Sequence, residues 1–232
     1  MLKSNVRSYV LRIGRFTPAQ RRAYDSLAEK FILPFREEKA DFEIIFGNNN
    51  PVTLEIGFGM GIATAAIAEA NPQKNYLGIE VHRPGIGRLL LETEKRNLSN
   101  IKIVEHDAVE AAEKMLPLAC LEAIHIFFPD PWPKKKHHKR RLIQRPFTET
   151  LAQRLRPGGY LYMVTDWEDY GNHALKELGE STGLRNAYEG FAAPQPWRPS
   201  TGFEQKGLQK NHSIWELFFT RELCPPAASH GV

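Results

Sequence analysis

The sequence predicts an α/β fold with a parallel sheet, on three observations. Short β-rich apolar runs alternate with helical stretches along the 232-residue chain, the pattern of βαβ crossovers. Hydrophobic residues make up 42% and charged ones 25%, which is globular composition, unlike disorder or a coiled coil. Glycines and carboxylates gather where the apolar runs stop, and ligands of parallel sheets bind outside those strand ends.

In chain order, strands are expected at 52–57 (VTLEIG), 75–81 (NYLGIEV), 101–106 (IKIVEH), 122–128 (EAIHIFF), 159–165 (GYLYMVT) and 213–220 (SIWELFFT). Helices fill the intervals at about 61–70, 84–97, 108–116, 146–156 and 168–180. The fourth helix places Phe147, Leu151 and Leu155 at i, i+4 and i+8, behind Pro146 and ahead of Gly158-Gly159. One connection is out of scale. Residues 129–145, PDPWPKKKHHKRRLIQR, run for 17 residues with three prolines and seven bases, and loops beyond about 12–15 residues are usually functional or disordered. Residues 1–30 are expected as a basic arm or helix, 31–224 as a single domain and 225–232 as a frayed tail. A domain of this size buries roughly 70% of its unfolded surface and needs no disulfide or metal to fold.

The formal net charge of +4 hides a segregation. Residues 1–22 carry six bases and no acid, and residues 134–145 carry seven bases and no acid. Together they contribute +13; the other 198 residues hold 18 bases and 27 acids, a net of −9. An acidic body with two basic patches suits a body that does one job while the patches hold a polyanion. Apolar runs such as IHIFF are too short for a bilayer, which needs about 20 residues, so no membrane partner is expected. The N-terminus lacks the apolar stretch of a secretion signal; its Arg-rich, acid-poor character is shared with mitochondrial presequences. Cys120 and Cys224 stand alone, without metal-ligand spacing, and suit a reducing cytosol. A cytoplasmic protein without a metal site is the expectation.

After the first expected strand comes Glu55-Ile-Gly57-Phe-Gly59-Met-Gly61. Glycines there let the backbone turn sharply and approach a ligand; a plain tight strand–helix turn would use them too. A dinucleotide site requires Gly or Ala where Ile62 stands, which argues against a nicotinamide oxidoreductase. No G-K-[ST] follows, so a P-loop is excluded. The spacing matches the glycine-rich loop of adenosylmethionine enzymes better. Glu80 closes the second strand, placed to accept from ribose hydroxyls. Asp107 closes the third, placed to accept from an adenine amine, and Glu55 can stabilise a cationic side of the ligand. At the end of the fourth strand, Phe128-Pro129-Asp130-Pro131-Trp132-Pro133 presents Asp130 between two prolines that restrict the backbone.

LEIGFGMG, GIEVH, FFPDPWPKKKHHKRR, VTDW and STGFEQKG together resemble the bacterial tRNA (guanine-N7)-methyltransferase family, from about Arg12 to Glu222. The resemblance implies the class I methyltransferase fold: a doubly wound, mostly parallel seven-stranded sheet with helices on both faces and an antiparallel last strand. It implies methyl transfer from S-adenosyl-L-methionine to N7 of guanine at position 46, in the tRNA variable loop. The implied cofactor contacts are Glu55, Gly57, Gly59, Gly61, Glu80, Asp107 and Asp130, with Asp130 the catalytic residue. The substrate contacts are Lys134, Asp166, Thr201, Gly202, Phe203 and Glu204. Gly202 stands where a larger polar residue is expected. Arg12, Arg15, Lys135, Lys136, Lys139, Arg140 and Arg141 are assigned to the tRNA backbone. Trp132 beside cations suits unpaired RNA, and His137 and His138 add pH-dependent phosphate donors. A non-catalytic RNA-binding protein on the same fold is the alternative, and monomer and homodimer both remain open.

Overall fold

A computed structural model describes Tyr9, residues 14–199, Glu204 and residues 213–223. It contains an eight-stranded sheet of β1 (Ile32–Leu33), β2 (Val52–Ile56), β3 (Asn75–Glu80), β4 (Ile101–Glu105), β5 (Leu121–Phe127), β6 (Leu155–Thr165), β7 (Leu184–Asn186) and β8 (Trp215–Arg221). Their spatial order is β1-β4-β3-β2-β5-β6-β8-β7, with β8 antiparallel to both neighbours. Every residue of β2 is buried, as a strand covered on both faces requires.

The helices divide between the faces. Val52, Leu54 and Ile56 of β2 join a core with α5 (Ala108–Lys114), α6 (Phe147–Arg154) and α7 (Glu168–Gly179). The other core gathers Ala23 of α1 (Pro18–Phe31), Ala65 of α3 (Ile62–Ala70) and Ile86 and Leu89 of α4 (Arg83–Lys95) against Tyr76, Ile101 and Phe127. Fully buried side chains such as Leu54, Leu77 and Ile124 each contribute about 1.5–3 kcal/mol. A capping box starts α1, where Thr17 N–H donates to the Gln20 side chain at 2.9 Å and Gln20 N–H donates to Thr17 Oγ1 at 3.3 Å.

Seven strands with an antiparallel last one match the expected sheet, and β1 adds an eighth at the edge, beside β4. Strands β1 and β7 and the five-residue α2 (Phe42–Phe46) are too short to show a period in the sequence. The fourth helix stops at Arg154, ahead of Gly158-Gly159, because Leu155 already pairs with Leu121; β6 then resumes its ladder at Tyr160. The 17-residue connection is ordered, and its middle winds into a 3₁₀ helix at Lys135–Arg140. Ile143 beyond it is fully buried, its N–H donating to Tyr170 Oη at 3.1 Å. No helix among the described residues is long and apolar enough to cross a membrane.

Strand order reverses at β2: the chain builds outward to β3 and β4, then returns so that β5 lies on β2's other side. The crevice at the carboxyl ends of β2 and β5 is therefore the topological switch point.

Candidate active site

Five acidic positions lie in the last residues of five adjacent parallel strands or just beyond them: Asp107 (after β4), Glu80 (end of β3), Glu55 (near the end of β2), Asp130 (after β5) and Asp166 (after β6). At ~4.8 Å between strands, this edge is about 20 Å wide.

The glycine loop follows β2. Gly57, Gly59 and Gly61 have φ of 71°, 57° and 66°, left-handed values that side chains rarely adopt. Among the described residues, no atom beyond the chain neighbours lies within 4 Å of where a Cβ would sit on Gly57 or Gly59. A Cβ on Gly85, in the first turn of α4, would stand 2.0 Å from the Gly59 carbonyl oxygen. Glycine at that position lets α4 close directly on the loop. Glu80 completes the fastening: Oε2 accepts from Gly59 N–H at 2.9 Å, and Oε1 from Val81 and His82 N–H at 2.7 and 3.0 Å. Acceptor capacity remains on Oε2 for a ligand hydroxyl. Asp107 caps α5, with Oδ1 accepting from Val109 and Glu110 N–H at 2.9 and 3.1 Å, which leaves Oδ2 for a ligand.

Glu55 is 4% exposed. Burial pushes its carboxyl up to about 7, against the pull of the Thr64 hydroxyl and with a further push from the Glu80 charge. Thr64 Oγ1, at the start of α3, is itself buried and reaches no partner at hydrogen-bonding geometry among the described residues.

Asp130 sits in a loop under strain. Phe128 and Trp132, on either side, have φ of 50° and 47°, each costing of order 1–3 kcal/mol for a non-glycine residue. Phe128 N–H donates to the Val164 carbonyl at 2.8 Å, fastening the loop's start to β6. On β6's far side a cavity of about 410 Å³ is lined by Asp166, Trp167, Glu168, Asp169, Ser213 and Trp215. Another hollow, of about 250 Å³, lies at the amino edge of the sheet near Val52 and Cys120, remote from these carboxylates.

The basic loop is more selective than its sequence. Lys134, Lys135, Lys136 and Lys139 are exposed. Arg140 lies over the Trp132 ring at 4.9 Å, and His137 meets the same ring edge-on at 5.9 Å. Desolvation and the surrounding Lys and Arg charges lower the His137 pKa, so it becomes cationic only below its ordinary range. Arg145 is engaged by Glu177 and Glu180. Arg141, expected at the tRNA backbone, is 1% exposed and paired with Asp169. Arg15 is exposed, while Arg12 lies outside the described residues.

Glu204, expected at the substrate, is bonded within the chain. Both its oxygens accept from Arg198, each at 2.7 Å, and Arg198 bonds further to Glu216 Oε1 at 3.0 Å and Tyr162 Oη at 3.2 Å. Its carboxylate is thus held in a buried ion network against β6 and β8. Thr201, Gly202 and Phe203 lie outside the described residues. The partners missed in sequence, Arg198, Glu216 and Tyr162, show no periodic or motif signal. Trp167 was legible beside Asp166 in VTDW; Trp215 was not, because only β8's antiparallel return brings it there.

A family model described as "Putative methyltransferase" matches residues 49–217. The chain is 50% identical over 216 residues to the tRNA (guanine-N(7)-)-methyltransferase of Nitrosomonas europaea, covering 93% of this chain and 96% of that one. Identity to the protein of the same name from Nitrosospira multiformis is 48% over 217 residues, covering 94% and 95%. This chain belongs to the tRNA (guanine-N7)-methyltransferase family. Among solved structures, the 16S rRNA methyltransferase KamB matches with a TM-score of 0.59 at 16% identity, covering 80% of this chain and 95% of that one. The antibiotic-resistance methyltransferase Kmr matches with a TM-score of 0.57 at 17% identity, over 84% and 96%. Both similarities describe the fold.

As a member of this methyltransferase family the chain uses S-adenosylmethionine, and its residues fit that group. The open space at Gly57 and Gly59 among the described residues and the acceptors of Glu55, Glu80 and Asp107 suit a ligand with a ribose diol, an adenine amine and cationic centres.

Proposed function

We propose that this protein transfers the methyl group of S-adenosylmethionine to N7 of a guanine in tRNA, at position 46 in the variable loop. The supporting observation is the switch-point geometry. The glycine loop of β2 and the strained Asp130 loop of β5 are neighbours, with a cavity at Asp166 on one side and exposed lysines just beyond.

The cofactor supplies, when bound, a methyl group on a positively charged sulfur. Guanine N7 carries an in-plane lone pair and no proton, so no residue has to act as general base. The chain's work is alignment, which can supply on the order of 7–11 kcal/mol where geometry is held. Asp130 is placed to stabilise positive charge developing on the guanine ring. Asp166 lines the cavity and is suited to accept from the guanine N1–H and N2 amine, donors that adenine lacks. Lys134, four residues beyond Asp130, bridges the pocket and the RNA backbone.

The test is incubation with labelled S-adenosylmethionine and total tRNA, followed by mapping of the modified nucleotide. Label in 7-methylguanosine at position 46 is expected. Binding of tRNA without transfer would instead favour a non-catalytic RNA-binding protein.

Glu55 provides a separate expectation. A cationic ligand favours ionised Glu55, which burial keeps largely protonated below pH 7 in the free protein. Cofactor affinity is therefore expected to rise about tenfold from pH 6 to pH 8, with proton release on binding at the lower pH. Calorimetry in buffers of different ionisation enthalpy measures both, and Glu55→Gln should flatten the dependence. Without cofactor the sign reverses for stability. The unfolded chain releases this proton at lower pH than the folded one, so folding weakens as pH rises from about 4.5 to about 7.

A further inference from the structure

Arg141 is the most completely buried cation of the basic loop, its side chain 1% exposed. Its Nε donates to the Pro131 carbonyl at 3.1 Å. Its Nη2 donates to the Asp169 carboxylate and meets His138 Nε2 at 3.2 Å. The guanidinium also lies 5.1 Å from the centre of the buried Tyr170 ring. Pro131 directly follows Asp130. Asp169 stands in the first turn of α7, three residues beyond Asp166, and lines the same cavity. One forked cation therefore spans the two loops that carry the expected catalytic and base-recognition carboxylates.

We infer that Arg141 is a positioning residue that fixes the Asp130 loop to the first turn of α7, and so sets the Asp130 carboxylate against the base held at Asp166. The inference rests on the proposed reaction at that site. A buried guanidinium persists only where its donors are met, and here Nε and Nη2 are met by those two loops. The strain at Phe128 and Trp132 gives the clamp a task, because a loop with left-handed residues at both ends relaxes when an anchor is lost. Lysine keeps the charge but lacks the fork that serves Pro131 and Asp169 together.

The test compares Arg141→Lys and Asp169→Ala with the unsubstituted protein in steady-state methylation of tRNA, alongside tRNA binding at several salt concentrations. Arg141→Lys is expected to lower kcat by about 10–100-fold, since a misplacement near 1 Å can cost about 10²-fold. KM for tRNA should change less than about threefold, and the salt slope of tRNA binding should match the unsubstituted protein. Asp169→Ala leaves the buried Arg141 without its counter-charge, so its thermal midpoint should fall. Measured at a temperature where it is still folded, it should lower kcat in the same direction, and the double variant should lose no more kcat than Arg141→Lys alone. Unchanged kcat in Arg141→Lys would overturn the inference. So would a weaker KM with a salt slope reduced by about one, the signature of a lost phosphate contact. Equal loss of kcat, cofactor affinity and thermal midpoint would mark a general packing role and overturn it too. Failure of the unsubstituted protein to methylate tRNA overturns the reaction, and the inference with it.

Discussion

Asp130→Asn is expected to lower kcat for methylation of tRNA guanine by 10²–10³-fold, with affinity for S-adenosylmethionine within about threefold of the unsubstituted protein. The magnitude is that of removing one preorganised electrostatic group from a reacting centre. Asparagine is nearly isosteric, and the flanking prolines restrict the backbone whichever side chain stands there. The substitution therefore removes charge and leaves alignment largely intact. Because N7 has no proton to lose, the deficit should be nearly independent of pH between 6 and 9. Single-turnover rates with saturating labelled cofactor separate this from binding. A near-native rate would remove Asp130 from the charge-stabilising role, and a deficit that disappears at high pH would make it a proton acceptor.

Replacing Lys134, Lys135, Lys136 and Lys139 together by Ala is expected to weaken tRNA binding on the order of 10²-fold at 0.1 M salt. The slope of log affinity against log salt should fall by roughly two to four. These four side chains are exposed, and none forms an ion pair among the described residues. Each is therefore available to release a counterion from phosphate. Cofactor affinity should not move, because the glycine loop and its acids lie across the switch point. Filter binding over a salt series measures the slope. An unchanged slope would refute the loop as a tRNA cradle while leaving the methyl-transfer pocket standing.

The contrast among the seven bases of 134–145 shows how far the sequence could be read. Seven cations without an acid look alike in a linear chain. Folding separates them, because Arg141 meets Asp169 28 residues on and Arg145 meets Glu177 32 residues on. Arg140 turns back onto Trp132. Glu204 follows the same logic: it accepts from Arg198, six residues before it, which also donates to the β8 carboxylate of Glu216.

What the sequence determined by itself was local. A glycine-rich turn after a buried strand, prolines on both sides of Asp130, carboxylates at strand ends and the split of +13 against −9 all depend on residues next to one another, where backbone sterics and spacing decide the outcome. The central strands and the five helices α3–α7 that follow them were legible for the same reason. The tertiary structure alone decided which charges remain free for a ligand, which edge strands join the sheet and which tryptophans wall the cavity. Those outcomes depend on partners tens of residues away, and a buried charge exists only where the fold supplies its counter-charge.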